Sequence, residues 1–179
     1  MNLVPMLAAG APLLGWTAHS AWLHHRLATA RRDPLTGLFT RDGFTMRAER
    51  LIRAHAERTT VLLVDLDDFK AINDTYGHAA GDSVLAATAQ RLTAWCGSHG
   101  MAARLGGDEF AAVVLDSGHR LDDLRAALTE PVPVGDLLLD VGATVGTSHP
   151  AALLLTEALS AADRDMYAHK PGDRLSRRR

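Results

Sequence analysis

The sequence predicts an α/β (α+β) domain with a mixed central sheet flanked by helices. Three observations lead there. Thr59 to Leu66 is a nearly continuous apolar run, as in a strand covered on both faces. Arg104-Leu105-Gly106-Gly107-Asp108-Glu109-Phe110 lies between the apolar runs Met101 to Leu105 and Phe110 to Leu115, and reads as strand, tight turn, strand. Apolar residues at helical spacing precede, separate and follow these strands. The expected order is helix, strand, helix pair, hairpin, helix, strand, helix.

Taken in order, residues 3–23 come first and contain no Asp, Glu, Lys or Arg. That length is close to the ~20 residues that cross a bilayer. Trp16 and Trp22 suit an interface, and Arg26, Arg31 and Arg32 would leave the rest of the chain cytoplasmic. Pro5, Gly10, Pro12, Gly15, Thr17, His19 and Ser20 weaken the apolar signal. Two readings stay open: a membrane anchor, or a helix packed on its own domain or on a second copy. No basic region precedes the apolar run, so a cleaved signal peptide is not expected.

Trp16 to Arg32 reads as helix, stopped by Asp33-Pro34. Leu35-Thr36-Gly37-Leu38 is a turn, and Thr40 or Asp42 caps a helix carrying Phe44, Leu51, Ile52 and Ala56. The Thr59–Leu66 strand runs out into Asp65-Leu66-Asp67-Asp68. Phe69 to Tyr76 is a short helix broken by Gly77-His78. Gly81-Asp82 begins an amphipathic helix with Val84, Leu85, Ala89, Leu92 and Trp95 on its apolar stripe. After the hairpin come a helix from His119 to Leu128, a strand from Leu137 to Val145 broken at Gly142 and ended at Gly146, and a helix from Ala152 to His169. The organisation is an N-terminal segment 1–32, one domain 33–174 and a basic tail 175–179. Its 179 residues suffice for one cored domain, and a net charge of −2 gives no basic field for nucleic acid. Cys96 stands alone, which excludes an intrachain disulfide and fits a reducing compartment.

The chemistry lies in the carboxylates. An isolated Gly-Gly-Asp-Glu is ordinarily a solvated acidic turn, but here a second acidic cluster ends the buried strand. If the two strands are neighbours, Asp65 faces Asp108 and Glu109, with Lys70 close by. Such a cluster calls for a cation. Mg²⁺ takes one or two carboxylates plus substrate phosphates. Paired ions stabilise in-line displacement at phosphorus, and Lys70 can carry phosphate charge left uncovered.

With these pieces in place, Asp33 to Arg174 resembles the GGDEF family of diguanylate cyclases. The matching stretches are Asp33-Pro34-Leu35-Thr36-Gly37-Leu38, Asp65-Leu66-Asp67-Asp68-Phe69-Lys70, Asn73-Asp74, Tyr76-Gly77-His78, Gly81-Asp82, Gly106-Gly107-Asp108-Glu109-Phe110, and Ala162-Asp163 through Tyr167 to Lys170. The resemblance implies a fold like the palm of nucleotidyl cyclases and polymerases. It implies condensation of two GTP into cyclic di-GMP with loss of two pyrophosphates, across a homodimer, with Mg²⁺ or alternatively Mn²⁺. By matched position, Asp65, the Leu66 carbonyl and Asp108 bind metal. Asp108 also takes the 3′-hydroxyl proton, supported by Glu109, and Lys70 stabilises phosphate charge. Lys170 and Arg174 reach the terminal phosphates. Gly106 and Gly107 admit the phosphates to the backbone, and Phe69 and His78 join the substrate contacts. Asn73 and Asp82 read guanine: a carboxylate accepts from the N1–H and amine that guanine offers, whereas adenine has no donor at N1. Asp82 also suits a helix cap.

The chain departs from the family pattern in places. Gly97 and Gly100 stand where many members carry an Arg-x-x-Asp product-inhibition motif, so that feedback site is expected to be absent. Asp173-Arg174 replaces a Gly-Arg pair, His169 replaces a small residue, and the stretch between Leu115 and Val141 is short. A reading from another class is a non-catalytic GTP-binding or dimerisation module that regulates a partner.

Overall fold

The computed structural model describes residues 31–116, 121–149 and 154–170. The expected helix up to Arg32 and the apolar segment 3–23 lie almost wholly outside them. Among the described residues no helix is long and apolar enough to cross a membrane.

Helix α1 (Arg41–His55) starts at Thr40, whose hydroxyl accepts the Gly43 N–H at 3.4 Å, with Asp42 in the first turn. Strand β1 (Thr59–Asp67) follows, then α2 (Phe69–Tyr76), α3 (His78–Cys96) and the hairpin of β2 (Gly100–Gly106) and β3 (Glu109–Leu115). Helix α4 (Leu121–Leu128), strands β4 (Val132–Val134), β5 (Leu137–Leu139) and β6 (Gly142–Ser148), and helix α5 (Leu155–His169) complete the described chain.

The main sheet has the order β2-β3-β1-β6, so β1 is central. Its apolar run is continuous because both faces are covered. Leu62, Val64 and Leu66 pack with Val84, Leu85 and Leu92 of α3. Val61 packs on the other face with Phe44 and Ile52 of α1 and Leu155 and Ala158 of α5. Full burial of each large side chain contributes about 1.5–3 kcal/mol, which fixes the register of β1 against slippage.

Three expectations are corrected. All pairings among the four strands are antiparallel, and the parallel component of the expected mixed sheet is the single bridge Phe39–Ala103 at the β2 edge. Helix α3 begins at His78 rather than Gly81, so Asp82 lies inside the first turns and does not cap it. The expected strand from Leu137 to Val145 is two strands: Gly142 opens β6 and Gly146 lies within it. The ladder to β1 continues through both glycines, which pair with Asp67 and Leu63.

Candidate active site

The register sets the site. Asp65 pairs with Glu109 across β1 and β3, and the Leu66 N–H donates to the Asp108 carbonyl at 3.4 Å. The end of the buried strand and the hairpin tip are therefore neighbours, as the acidic pattern requires. Directly opposed residues share a sheet face, so Asp65 and Glu109 project to the side of α1 and α5. At the end of β1, Asp68 takes a left-handed φ of 52°, which an aspartate tolerates, and turns the chain into α2.

Lys170 follows α5 and reaches this edge. Its ammonium lies 2.9 Å from an Asp65 oxygen. The hydrogen bond to Asp65 raises the lysine's pKa; burial opposes the rise, and the charges of Asp65, Asp67 and Asp108 add to it. Asp67 accepts the Thr144 hydroxyl at 2.7 Å. Helix α5 is fastened to β6: the Thr147 N–H donates to Asp165 at 2.8 Å, and the Ser148 hydroxyl donates to the Ala158 carbonyl at 2.8 Å.

The hairpin tip is held from behind. Gly107 has a φ of 51°, which a side chain rarely adopts, and a bulge shifts the register between Arg104 and Gly106. Arg104 Nε donates to the Gly107 carbonyl at 2.9 Å, and its guanidinium pairs with both Asp33 oxygens at 3.4 Å. Asp33 also accepts the Thr36 N–H at 2.8 Å and the Thr36 hydroxyl at 2.6 Å. Burial pushes the Asp33 carboxyl upward, but the Thr36 bonds and Arg104 outweigh it and hold the group below its usual range. The turn 33–37 is thereby tied to the tip. Arg104 was not among the residues expected to act here. The signal that finds it is its place just before the two glycines, facing a motif aspartate distant in sequence.

The other expected residues form a second group on α2 and α3. A Cβ on Gly81 would lie 2.1 Å from Asn73 Oδ1 and 3.1 Å from the Phe69 ring, so only glycine lets α3 approach α2 this closely. Asn73 Nδ2 donates to the Phe69 carbonyl at 3.4 Å. Asp82 follows Gly81 and so falls at the same junction, exposed, with no hydrogen bond or ion pair among the described residues. His78 and Lys70 are exposed, and Lys70 makes no ion pair among the described residues. Arg174 lies outside them.

Two clefts flank the hairpin. One, of about 350 Å³, is lined by Arg41, Leu105, Glu109, Asp163 and Met166 among others. The other, of about 450 Å³, is lined by Asp33, Arg41, Arg104, Gly106 and Gly107 among others. Neither includes Asp65, Asn73 or Asp82. No group of three or more His, Cys, Asp or Glu side chains is placed to hold a metal among the described residues. The donors at the β1 end are all oxygens. That set fits a hard cation of the Mg²⁺ kind, which takes one or two carboxylates and fills its remaining positions with water and phosphate oxygens.

The profile of the diguanylate cyclase GGDEF domain matches residues 30–175. The chain belongs to the GGDEF family. An uncharacterised 19.3 kDa protein of Streptomyces ambofaciens is 54% identical over 93% of both chains. The diguanylate cyclase DgcN of Escherichia coli is 39% identical over 84% of this chain. The chain spans 40% of that relative's length, and 37% of that of the diguanylate cyclase TpbB of Pseudomonas aeruginosa. Among solved structures, the coiled coil and GGDEF domain of DgcB from Caulobacter crescentus, in complex with c-di-GMP, matches with a TM-score of 0.74 at 26% identity, over 92% of this chain and 95% of that one. A sensory box/GGDEF family protein from the same organism matches with a TM-score of 0.71 at 36% identity, over 78% and 97%.

Proposed function

We propose that this GGDEF protein is a diguanylate cyclase, condensing two GTP into cyclic di-GMP and two pyrophosphates. The observation that carries the reading is the register of β1 and β3, which pairs Asp65 with Glu109 and bonds the Leu66 N–H to the Asp108 carbonyl, with the Lys170 ammonium 2.9 Å from Asp65. Membership of the family supports the same chemistry.

In this reading Asp65, the Leu66 carbonyl and Asp108 hold Mg²⁺, with Mn²⁺ as a substitute. The bound ion supplies charge neutralisation at the phosphates and acidifies the attacking hydroxyl. Asp108 accepts the 3′-hydroxyl proton and Glu109 supports it. Lys70 and Lys170, with Arg174, bind phosphate oxygens, and the backbone of Gly106 and Gly107 lies along them. Asn73 and Asp82 select guanine at the α2–α3 junction, with Phe69 and His78 beside it. The attacking hydroxyl comes from the nucleotide of a second copy, so the active species is a homodimer. Residues 33–174 are the catalytic unit, with GTP as substrate, working in the cytoplasm. Contact of residues 3–23 with a membrane or with a second copy concerns a segment outside the described residues.

The test is purified protein with Mg²⁺ and GTP, ATP or both, with products resolved by mass. Cyclic di-GMP from GTP, abolished in Asp108→Ala, is expected. GTP binding without turnover, at concentrations where the protein is dimeric, would contradict the reading and favour a regulatory module.

A further inference from the structure

We propose that Lys170 and the divalent cation are alternative partners of the Asp65 carboxylate, so that the lysine guards the site until nucleotide arrives. The inference rests on the metal-site reading above and concerns how that site is loaded.

The Asp65 side chain is only 16% exposed, and a carboxylate so far removed from water needs a counter-charge. Among the described residues its ionic partner is Lys170, at 2.9 Å. Asp67 is provided for separately by the Thr144 hydroxyl. The root of the lysine is fixed relative to Asp65. Asp165 and Ala158 bind α5 to β6, and β6 pairs with β1 through Thr144 opposite Asp65. The head is not fixed in the same way. Lys170 lies one residue past α5 with an extended ψ of 133°, and its side chain is 38% exposed. A compact ammonium on a flexible four-carbon stem can change partners without unwinding the helix.

A divalent ion brought to the Asp65 oxygen that the ammonium holds at 2.9 Å meets that ammonium as a like charge at short range. Free metal therefore binds Asp65 against the lysine and leaves the ammonium without its ionic partner. Metal arriving with a triphosphate gives Lys170 a new anion to bind. Metal and nucleotide then bind cooperatively, while metal alone binds weakly. If Lys170 holds Asp65 for nine-tenths of the time, the apparent affinity for free metal falls about tenfold.

The test is Mn²⁺ binding to the full chain, read as free Mn²⁺ by electron paramagnetic resonance, without nucleotide and with a non-hydrolysable GTP analogue. Without nucleotide, Lys170→Met should bind Mn²⁺ about tenfold tighter than the wild type. Lys170→Arg should bind more weakly than the wild type, because a guanidinium grips a carboxylate bidentately. Arg53→Met, an exposed change on α1, should stay close to the wild type. With the analogue, the advantage of Lys170→Met should vanish or reverse. Mn²⁺ should also raise the melting temperature of Lys170→Met more than that of the wild type. Equal Mn²⁺ affinity in Lys170→Met and wild type, or equal tightening in Lys170→Met and Arg53→Met, overturns the proposal and leaves the functional reading standing. Unchanged Mn²⁺ binding in Asp65→Asn with the analogue present overturns both.

Discussion

The strand-end carboxylates and the α2–α3 junction are built in opposite ways. Asp65 lies on the central strand, opposite Glu109, with its charge answered by Lys170. The hairpin beside it is cross-linked through Arg104 to Asp33. Asn73 and Asp82 sit on two short-linked helices, joined by the close approach at Gly81, and Asp82 is exposed. The first region is organised by sheet register and charge before any ligand arrives. The second offers hydrogen-bonding groups whose partners have to come from outside. The difference suits the two tasks: phosphate charge must be met by fixed groups, whereas a base edge is read by groups that would be left unpaired with the wrong base.

Substitutions should separate the two regions. The largest effect is expected at the rigid end: Asp65→Asn should lower turnover by more than about 100-fold, beyond the usual loss for an outer-shell residue. Circular dichroism should show the fold retained, and a variant that keeps near-normal turnover would break the comparison. At the other end, Asp82→Asn should erode choice rather than chemistry. Loss of one buried pairing of ~1–3 kcal/mol corresponds to about 5- to 150-fold in the GTP-over-ATP ratio of kcat/KM. A fall in kcat with the ratio intact would place Asp82 with the carboxylates instead.

Arg104→Ala should reduce kcat by about tenfold or more, as loss of an outer support typically does, with less change in KM. Rescue by Arg104→Lys should be partial, because lysine cannot bridge Gly107 and Asp33 with one planar fork. A smaller effect concerns acid. The folded Asp33 carboxyl titrates below its unfolded value, so the stability it adds is present above the ordinary carboxylate range and is lost as pH falls through the folded value. Urea midpoints between pH 3 and 6, pH values chosen about the usual aspartate pKa, should fall more steeply for wild type than for Asp33→Asn. Smallest is Thr40→Ala, which removes the α1 cap at the edge of the hairpin cleft. It should cost about 0.5–1 kcal/mol in chemical denaturation and leave specificity unchanged.

Much of this was legible in the sequence because the physical signals were strong. A strand covered on both faces leaves an unbroken apolar run, and Thr59 to Leu66 shows one. The Gly106-Gly107 turn fixes a hairpin, and the carboxylates at both strand ends make the pairing of β1 with β3 the sensible one. Strand direction was less legible, since apolar runs carry no sign of antiparallel order. The start of α3 lies three residues before Gly81-Asp82, because Gly81 is not a helix start but the residue whose missing Cβ lets α3 lie against Asn73. Two long-range ion pairs, Arg104 with Asp33 and Lys170 with Asp65, leave no local pattern. Each joins residues far apart in the chain and emerges only once the sheet brings their elements together.

The most direct test is an anomalous-scattering map of crystals grown with Mn²⁺ and a non-hydrolysable GTP analogue. The account predicts a manganese peak bound by both Asp65 and Asp108, touching the triphosphate, with the base against Asn73 and Asp82. A peak bound by only one of these carboxylates, or a triphosphate lodged in either hairpin cleft instead, would contradict it.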